Sequence, residues 1–311
     1  MARHFFLPTL VSLAALVGTP VLFPQNNSQG ASVSVVVTVE ARHGTDVPAI
    51  GRDDVMVYQD RDRNRVVDWV PLAGNRGGLE LFILIDDAIS PTLEAQLDDI
   101  RHFMNSQPST TGIGVAYMQN GVAVVVQNLT TDHALAAKTL RAPLGNPGAS
   151  ASPYFSLEDL VQRWPEGAVR REILMLTDGI DRYWGSITAD PYVDEIIEKV
   201  KRAGIIVCSI YASGFGHYGH TLWQQNWGQL YLSQVSDRTG GEFYFLGAGA
   251  PLSFVPHLED LARRLTHQHL LTFIPKPAKT SGFQKVRFRT EVPNADLVGP
   301  DSVWVLAQTT E

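Results

Sequence analysis

Two apolar segments of this chain each run into an aspartate. LFILIDDAIS (residues 81–90) sets five apolar residues ahead of Asp86 and Asp87, with a hydroxyl at Ser90; ILMLTDG (173–179) sets a second apolar run ahead of Thr177, Asp178 and a glycine. Runs this dense read as strands buried on both faces. A carboxylate at the end of such a strand needs a partner, because a buried unpaired charge is costly. Two partners are open. The aspartates cap the helices that follow, as carboxylates do well, or they face each other across the same sheet edge and need a cation between them, since like charges at close range repel. Ser90 adds one hydroxyl, and the loop RAPLGNPGASASP (141–153), which holds Ser150 and Ser152, adds another. Asp86, Ser90, Asp178 and a serine of that loop then form an all-oxygen set, which suits a hard ion such as Mg2+, with Mn2+ or Ca2+ as substitutes. Zinc would require Cys or paired His ligands.

A second group lies in SGFGHYGHTLWQQNWGQ (213–229), which carries Phe215, His217, Tyr218, His220, Trp223 and Trp227, while Arg182, Tyr183 and Trp184 follow Asp178. Tyr, Trp and Arg massed on one rim have the composition of a protein interface. The alternative is that these rings pack inward as the core of a long loop. His217 and His220 lack a third ligand for zinc. No Gly-x-Ser-x-Gly elbow, His-Glu-x-x-His pair or Walker-type loop occurs, so the usual hydrolase and nucleotide-binding motifs are missing. The reading is therefore a binding protein and not an enzyme; a Mg2+-dependent phosphohydrolase using Asp86 and Asp178 is the remaining catalytic alternative, and it lacks a lysine on this face.

These residues need elements to hold them. From residue 79 the pattern alternates strand and helix: Ser90 and Pro91 open a helix whose apolar face is Leu93, Leu97, Ile100 and Phe103, and Asn120-Gly121 between apolar runs predicts a hairpin. A helix over 132–140, another over 156–164, the strand REILMLT, the helix DPYVDEIIEKVKRAG, the strand IIVCSIYA, the helix LYLSQVSDRTGG and the strand EFYFLG follow, and PLSFVPHLEDLARRLTHQ closes the series. Alternation of this kind predicts a mostly parallel sheet covered on both faces, with one antiparallel edge strand. Ligands of such sheets bind beyond the carboxyl ends of the strands, where strand order reverses. Before residue 75 and after residue 268 the chain alternates like antiparallel strands, and the two ends are expected to pair into one small β unit.

The chain has 311 residues, 44% hydrophobic and 18% charged, with a net charge of −7. This is globular composition, and its acidity argues against nucleic acid as a partner. The opening MARHFFLPTLVSLAALVGTPVLFPQNNSQG has a basic head, an apolar stretch and a polar tail, the layout of a secretory signal peptide, read here over residues 1–25. An uncleaved membrane anchor is the alternative, but Pro8 and Pro20 interrupt the stretch. Either way the body is exported, to the periplasm or outside the cell. Cys208 is the sole cysteine, so no intramolecular disulfide forms, and the thiol is expected to be buried and inert.

Taken together, the residues resemble the von Willebrand factor type A (VWA) domain. Its metal-ion-dependent adhesion site uses Asp-x-Ser-x-Ser after the first strand, a Thr in a later loop and an Asp after the fourth strand. Here DDAIS supplies Asp86, Ala88 and Ser90, LTDGID supplies Asp178, and LSQVSDRTGGEFYF resembles the family's last helix, turn and strand, so the likeness spans about residues 79–267. The flanks are similar to those of exported bacterial VWA-related proteins. The resemblance implies a Rossmann-like fold, an N-terminal β segment at 30–75, the VWA-like domain at 79–267 and a C-terminal β segment at 268–311. It also implies an adhesion or assembly role in which Mg2+, held by Asp86, Ser90, Ser152 and Asp178, receives a carboxylate from a protein partner. Ala88 stands where the motif has serine, so the ion is expected to bind weakly. A metal-free interaction scaffold is the alternative.

Overall fold

The computed structural model describes residues 32–74, 77–146, 148, 150–164, 170–184, 189–212, 221–245, 247 and 253–307. The expected signal peptide and four of the rim residues, Phe215, His217, Tyr218 and His220, lie outside the described residues. Among the described residues no helix is long and apolar enough to cross a membrane.

Three strands come first, β1 (Val33–Ala41), β2 (Val55–Gln59) and β3 (Asp62–Pro71). The α/β series follows: β4 (Leu79–Asp86), α1 (Leu97–Ser106), β5 (Gly112–Gln119), β6 (Val122–Thr130), α2 (His133–Lys138), α3 (Pro153–Arg163), β7 (Arg170–Thr177), α4 (Tyr192–Arg202), β8 (Ile205–Tyr211), α5 (Leu222–Thr239), β9 (Phe243–Tyr244) and α6 (Val255–Thr266). Five strands close the chain, β10 (Gln268–Ile274), β11 (Gly282–Lys285), β12 (Arg287–Thr290), β13 (Ala295–Val298) and β14 (Ser302–Val305).

The central sheet has the order β6-β5-β4-β7-β8-β9, parallel except for β6. Strand β4 alternates its side chains between two cores. Leu81, Ile83 and Ile85 pack with Leu97, Ile100, Phe103, Leu258 and Leu261 of α1 and α6, while Phe82 and Leu84 pack with Leu157, Leu160, Ile196 and Leu232 of α3, α4 and α5. Burial on both faces is why the sequence shows a continuous apolar run and no period-two alternation. The β5–β6 hairpin turns at Asn120 and Gly121, with φ of 52° and 81°, the pair of positive angles that a type I′ turn requires. Strand order reverses at β4, and β4 and β7 are neighbours in register Ile85↔Leu176. Their carboxyl ends therefore open side by side.

The chain ends build a second sheet, β12-β2-β3-β10-β1-β13, and the ribbon β11-β14. It is larger than the small unit expected, with as many strands as the central sheet. The C-terminal strands add to both edges of the N-terminal ones, β13 on β1 and β12 on β2, and these two edges touch, so the sheet curls nearly into a barrel. Its interior holds Val37, Val39, Val57, Trp69, Leu271, Phe273 and Leu297.

Several element boundaries differ from the sequence-based expectation. The segment opened by Ser90 and Pro91 is a 3-10 helix through Gln96, and α1 follows it from Leu97. Helix α3 begins at Pro153, because Ser152 caps it by accepting the Phe155 N–H. Strand β9 is only two residues long. Helix α5 begins at Leu222, since Thr221 and Gln224 form a reciprocal capping box, so Trp223 and Trp227 are helical residues and not loop residues.

Candidate functional site

Asp86, the last residue of β4, and Asp87, just after it, meet different partners. Asp87 is held by Arg141, whose two terminal nitrogens each donate at 2.7 Å, by the Gln119 amide at 2.7 Å and by the Leu144 N–H at 3.2 Å. Its role is to pin the loop after α2. Asp86 faces β7: Oδ1 accepts the Ala88 N–H at 2.8 Å, and Oδ2 accepts the Thr177 hydroxyl at 2.7 Å. Burial, and then the charge of Asp178, push the Asp86 carboxyl up to about 6. Asp86 and Asp178 thus lie close enough at this edge for their charges to interact.

Asp178 directly follows β7 and is fully buried. Its Oδ1 accepts the Ile180 N–H at 2.9 Å, and the Arg182 guanidinium grips both oxygens, Nη2 to Oδ2 at 2.6 Å and Nη1 to Oδ1 at 3.3 Å. Arg182 was expected on the rim. It lies inward instead, its side chain only 12% exposed, because a buried carboxylate this close offers more than solvent does. Burial works against the guanidinium charge, but Asp178, then Asp86 and Asp181, outweigh it and raise its pKa.

Helix α5 is clamped onto this turn. A β-carbon at Gly228 would lie 2.4 Å from the Asp178 carbonyl oxygen, and one at Gly179, where φ is +68°, would lie 2.4 Å from the Gly228 carbonyl oxygen. The Tyr154 hydroxyl also donates to the Gly179 carbonyl at 2.7 Å. Only glycine at both positions lets the helix approach so closely.

The hydroxyls are engaged locally. Ser90 caps the short 3-10 helix at Pro91–Gln96, accepting the Thr92 N–H at 3.2 Å and sharing a hydrogen bond with the Thr92 hydroxyl at 2.8 Å. Ser152 donates to Asp181 Oδ2 at 2.5 Å besides capping α3. Sequence reasoning missed Asp181 and Asp190. Asp190 is buried, its Oδ1 accepts the Tyr192 N–H at 2.8 Å, and burial together with Asp181 pushes its carboxyl up to about 6. The signal for Asp181 was on the page, as the last residue of TDGID.

Of the described rim residues, Tyr183 is 51% exposed and Trp223 66%, and Leu222, also missed, is 77% exposed. Trp184 is half-buried, edge-on to Tyr192 at 5.9 Å, and Trp227 stacks on Tyr231 at 5.3 Å. These two belong to the packing of the rim.

No family model and no curated protein sequence matches this chain. Similar solved structures include the von Willebrand factor type A protein from Catenulispora acidiphila, 9% identical with a TM-score of 0.42, covering 92% of this chain and 76% of that one. An aerotolerance-related membrane protein from Bacteroides fragilis is 11% identical with a TM-score of 0.43, covering 60% and 98%. The VWA domain of SpRpn10 is 16% identical with a TM-score of 0.38, covering 58% and 94%. The structural neighbours of this chain include VWA domains.

A VWA domain implies a divalent ion at the strand ends, and the donors here can be tested against it. Both oxygens of Asp86 and both of Asp178 already accept hydrogen bonds from protein groups, Ser90 and Ser152 serve as caps, and Ala88 offers no hydroxyl. As arranged, these residues do not fit a divalent ion: it would have to displace Arg182 from Asp178.

Proposed function

We propose that this chain is an exported protein-binding module, serving adhesion or assembly, whose partner lands on the carboxyl edge of the central sheet. Protein interaction is the general role of the VWA fold. The observation that carries the proposal is the pair Leu222 and Trp223, more than half exposed in the first turn of a helix locked against the Asp178 turn, with Tyr183 exposed beside that turn. A tryptophan held in water by a rigid support costs little to order on binding and brings a large contact area. The N-terminal apolar stretch supports export.

The test compares variants with one another. The parent chain, Trp223→Ala and Trp227→Ala are used to capture proteins from the extracytoplasmic fraction, with thermal melts alongside. The proposal expects Trp223→Ala to lose capture while melting as the parent does; equal capture by Trp223→Ala and the parent would refute it.

A second reading keeps the metal. In it Mg2+, with Mn2+ or Ca2+ as substitutes, takes up Asp86 and Asp178 in place of Arg182, and the partner presents a carboxylate to that edge. The observation in its favour is the placement of two buried acids at the ends of adjacent parallel strands, with burial and then Asp178 raising the Asp86 carboxyl. Calorimetry with Mg2+ and Mn2+ separates the two readings.

A further inference from the structure

The strand-end site has the carboxylates of a cation site and donors that are already taken. Asp86 and Asp178 sit at the ends of two adjacent parallel strands, both buried, and a third acid, Asp181, is close enough to act on the same guanidinium. A positive group among them lowers the cost of their like charges. The only side-chain cation bonded to Asp178 among the described residues is Arg182, and its attachment differs from that of a surface arginine. Its backbone is fixed, the N–H donating to the Ala151 carbonyl at 2.9 Å, and the next N–H, of Tyr183, donates to the same carbonyl at 3.0 Å. Its Nη1 donates to the Ile180 carbonyl at 3.2 Å besides reaching Asp178. With the fork closed on both Asp178 oxygens and the acid side chain only 1% exposed, the guanidinium is positioned before any ligand arrives.

The neighbouring substitutions point the same way. Ala88 removes a hydroxyl that an ion would use, and the Ser152 hydroxyl is turned to Asp181, the residue just before Arg182 in the chain. Thr177 spends its hydroxyl proton on Asp86. Each oxygen that would face an ion has a proton donor, or is absent. A guanidinium carries its charge at all physiological pH values and presents donors in a rigid plane that matches a carboxylate, so it supplies a fixed positive charge independent of the metal supply outside the cell.

We propose that Arg182 is the resident cation of this site, standing where a divalent ion would otherwise lie, and that the site works without metal. The inference does not depend on the protein-binding role, because its readouts involve no partner.

The test uses the full mature chain, Arg182→Gln and Arg182→Lys, with thermal melts in Mn2+, Mg2+ or chelator, and Mn2+ binding followed by electron paramagnetic resonance. The parent is expected to melt alike in millimolar Mn2+ and in chelator. Arg182→Gln is expected to melt lower, to recover part of the loss in Mn2+ and to bind Mn2+ at least tenfold more tightly than the parent. Arg182→Lys, which keeps the charge, should fold and stay blind to Mn2+, and it covers the case in which the glutamine variant does not fold. Mn2+ binding by the parent as tight as by Arg182→Gln would overturn the proposal. So would an Arg182→Gln protein that gains no Mn2+ binding, since the vacated place would then not be a cation's place, and so would an Arg182→Lys protein that binds Mn2+ as Arg182→Gln does.

Discussion

The two ends of the central sheet bury charge in opposite ways. At the amino ends, Arg170 opens β7 and is enclosed by acceptors: Gln268, the carbonyls of Leu72, Gly77 and Leu265, and Glu172 at 3.7 Å. Nearby Arg264 on α6 pairs with Glu40 of β1 and with Glu242. These contacts reach from the α/β layers into the antiparallel sheet, so they fasten one half of the molecule to the other. At the carboxyl ends, Asp86, Asp178, Asp181 and Asp190 gather, with Arg182 bonded to Asp178 and within reach of the charges of Asp86 and Asp181. The first cluster joins two sheets, with Arg170 and Arg264 set among Glu172, Glu40 and Glu242, and the second stays at one sheet edge, with a single guanidinium bonded to Asp178 among the described residues.

Breaking the joint should have the largest effect. Arg170→Met strands Glu172 without its buried partner and removes donors from three carbonyls, so a loss of about 3–5 kcal/mol is expected in urea denaturation, with Mn2+ behaviour at the far end unchanged.

The acidic end should instead respond to pH. The folded Asp86 carboxyl, up to about 6, lies above its unfolded value of about 3.9. Between these values the folded state holds more protons, so stability falls as pH rises through the window. Asp86→Asn removes that group's share. Its stability relative to the parent should therefore grow from pH 4 to pH 7 by about 1–3 kcal/mol. The variant should keep a residual slope in the same window from Asp190. A relative stability that is flat or falls with pH would show that Asp86 is fully balanced, and would erase the contrast between the two ends.

Within the rim, the contrast runs between exposed and packed tryptophans. Trp223→Ala is expected to cost about 2 kcal/mol of partner binding and less than about 0.5 kcal/mol of stability. Trp227→Ala, which removes a ring stacked on Tyr231, should lower stability by about 1–2 kcal/mol. Paired capture and melting experiments check both. The smallest effect concerns Cys208, buried in β8 with its thiol pushed up to about 12, first by burial. It should stay unreactive to thiol reagents in the native protein and react on unfolding.

Much of this architecture was legible in local pattern. The Ser90-Pro91 start, the Asn120-Gly121 hairpin and the Leu93, Leu97, Ile100, Phe103 stripe are each set by neighbours within a few residues, where propensity and periodicity act. The start of α5 was also written in the chain, as Thr221-Leu-Trp-Gln224, but it was obscured because the helix is apolar on two sides: Tyr231, Leu232 and Val235 inward, Leu222, Trp223 and Leu230 outward. A helix that keeps apolar residues for a partner has no clean amphipathic period.

By itself, then, the sequence determined that β4 and β7 would be buried on both faces and end in carboxylates at one sheet edge, because strand order and hydrophobic runs follow from local pattern and a few topological rules. Only the tertiary structure decided what those carboxylates would meet. Asp86 and Asp87 are equivalent as letters, and the fold brings one to Thr177 and the other to Arg141. Arg182 reads as one more rim residue until the turn at Gly179, pressed against Gly228, folds it back over Asp178. Pairing of charges across a turn depends on direction in space, and a few degrees of backbone rotation, set by packing far away in the chain, decide whether a guanidinium faces water or an acid.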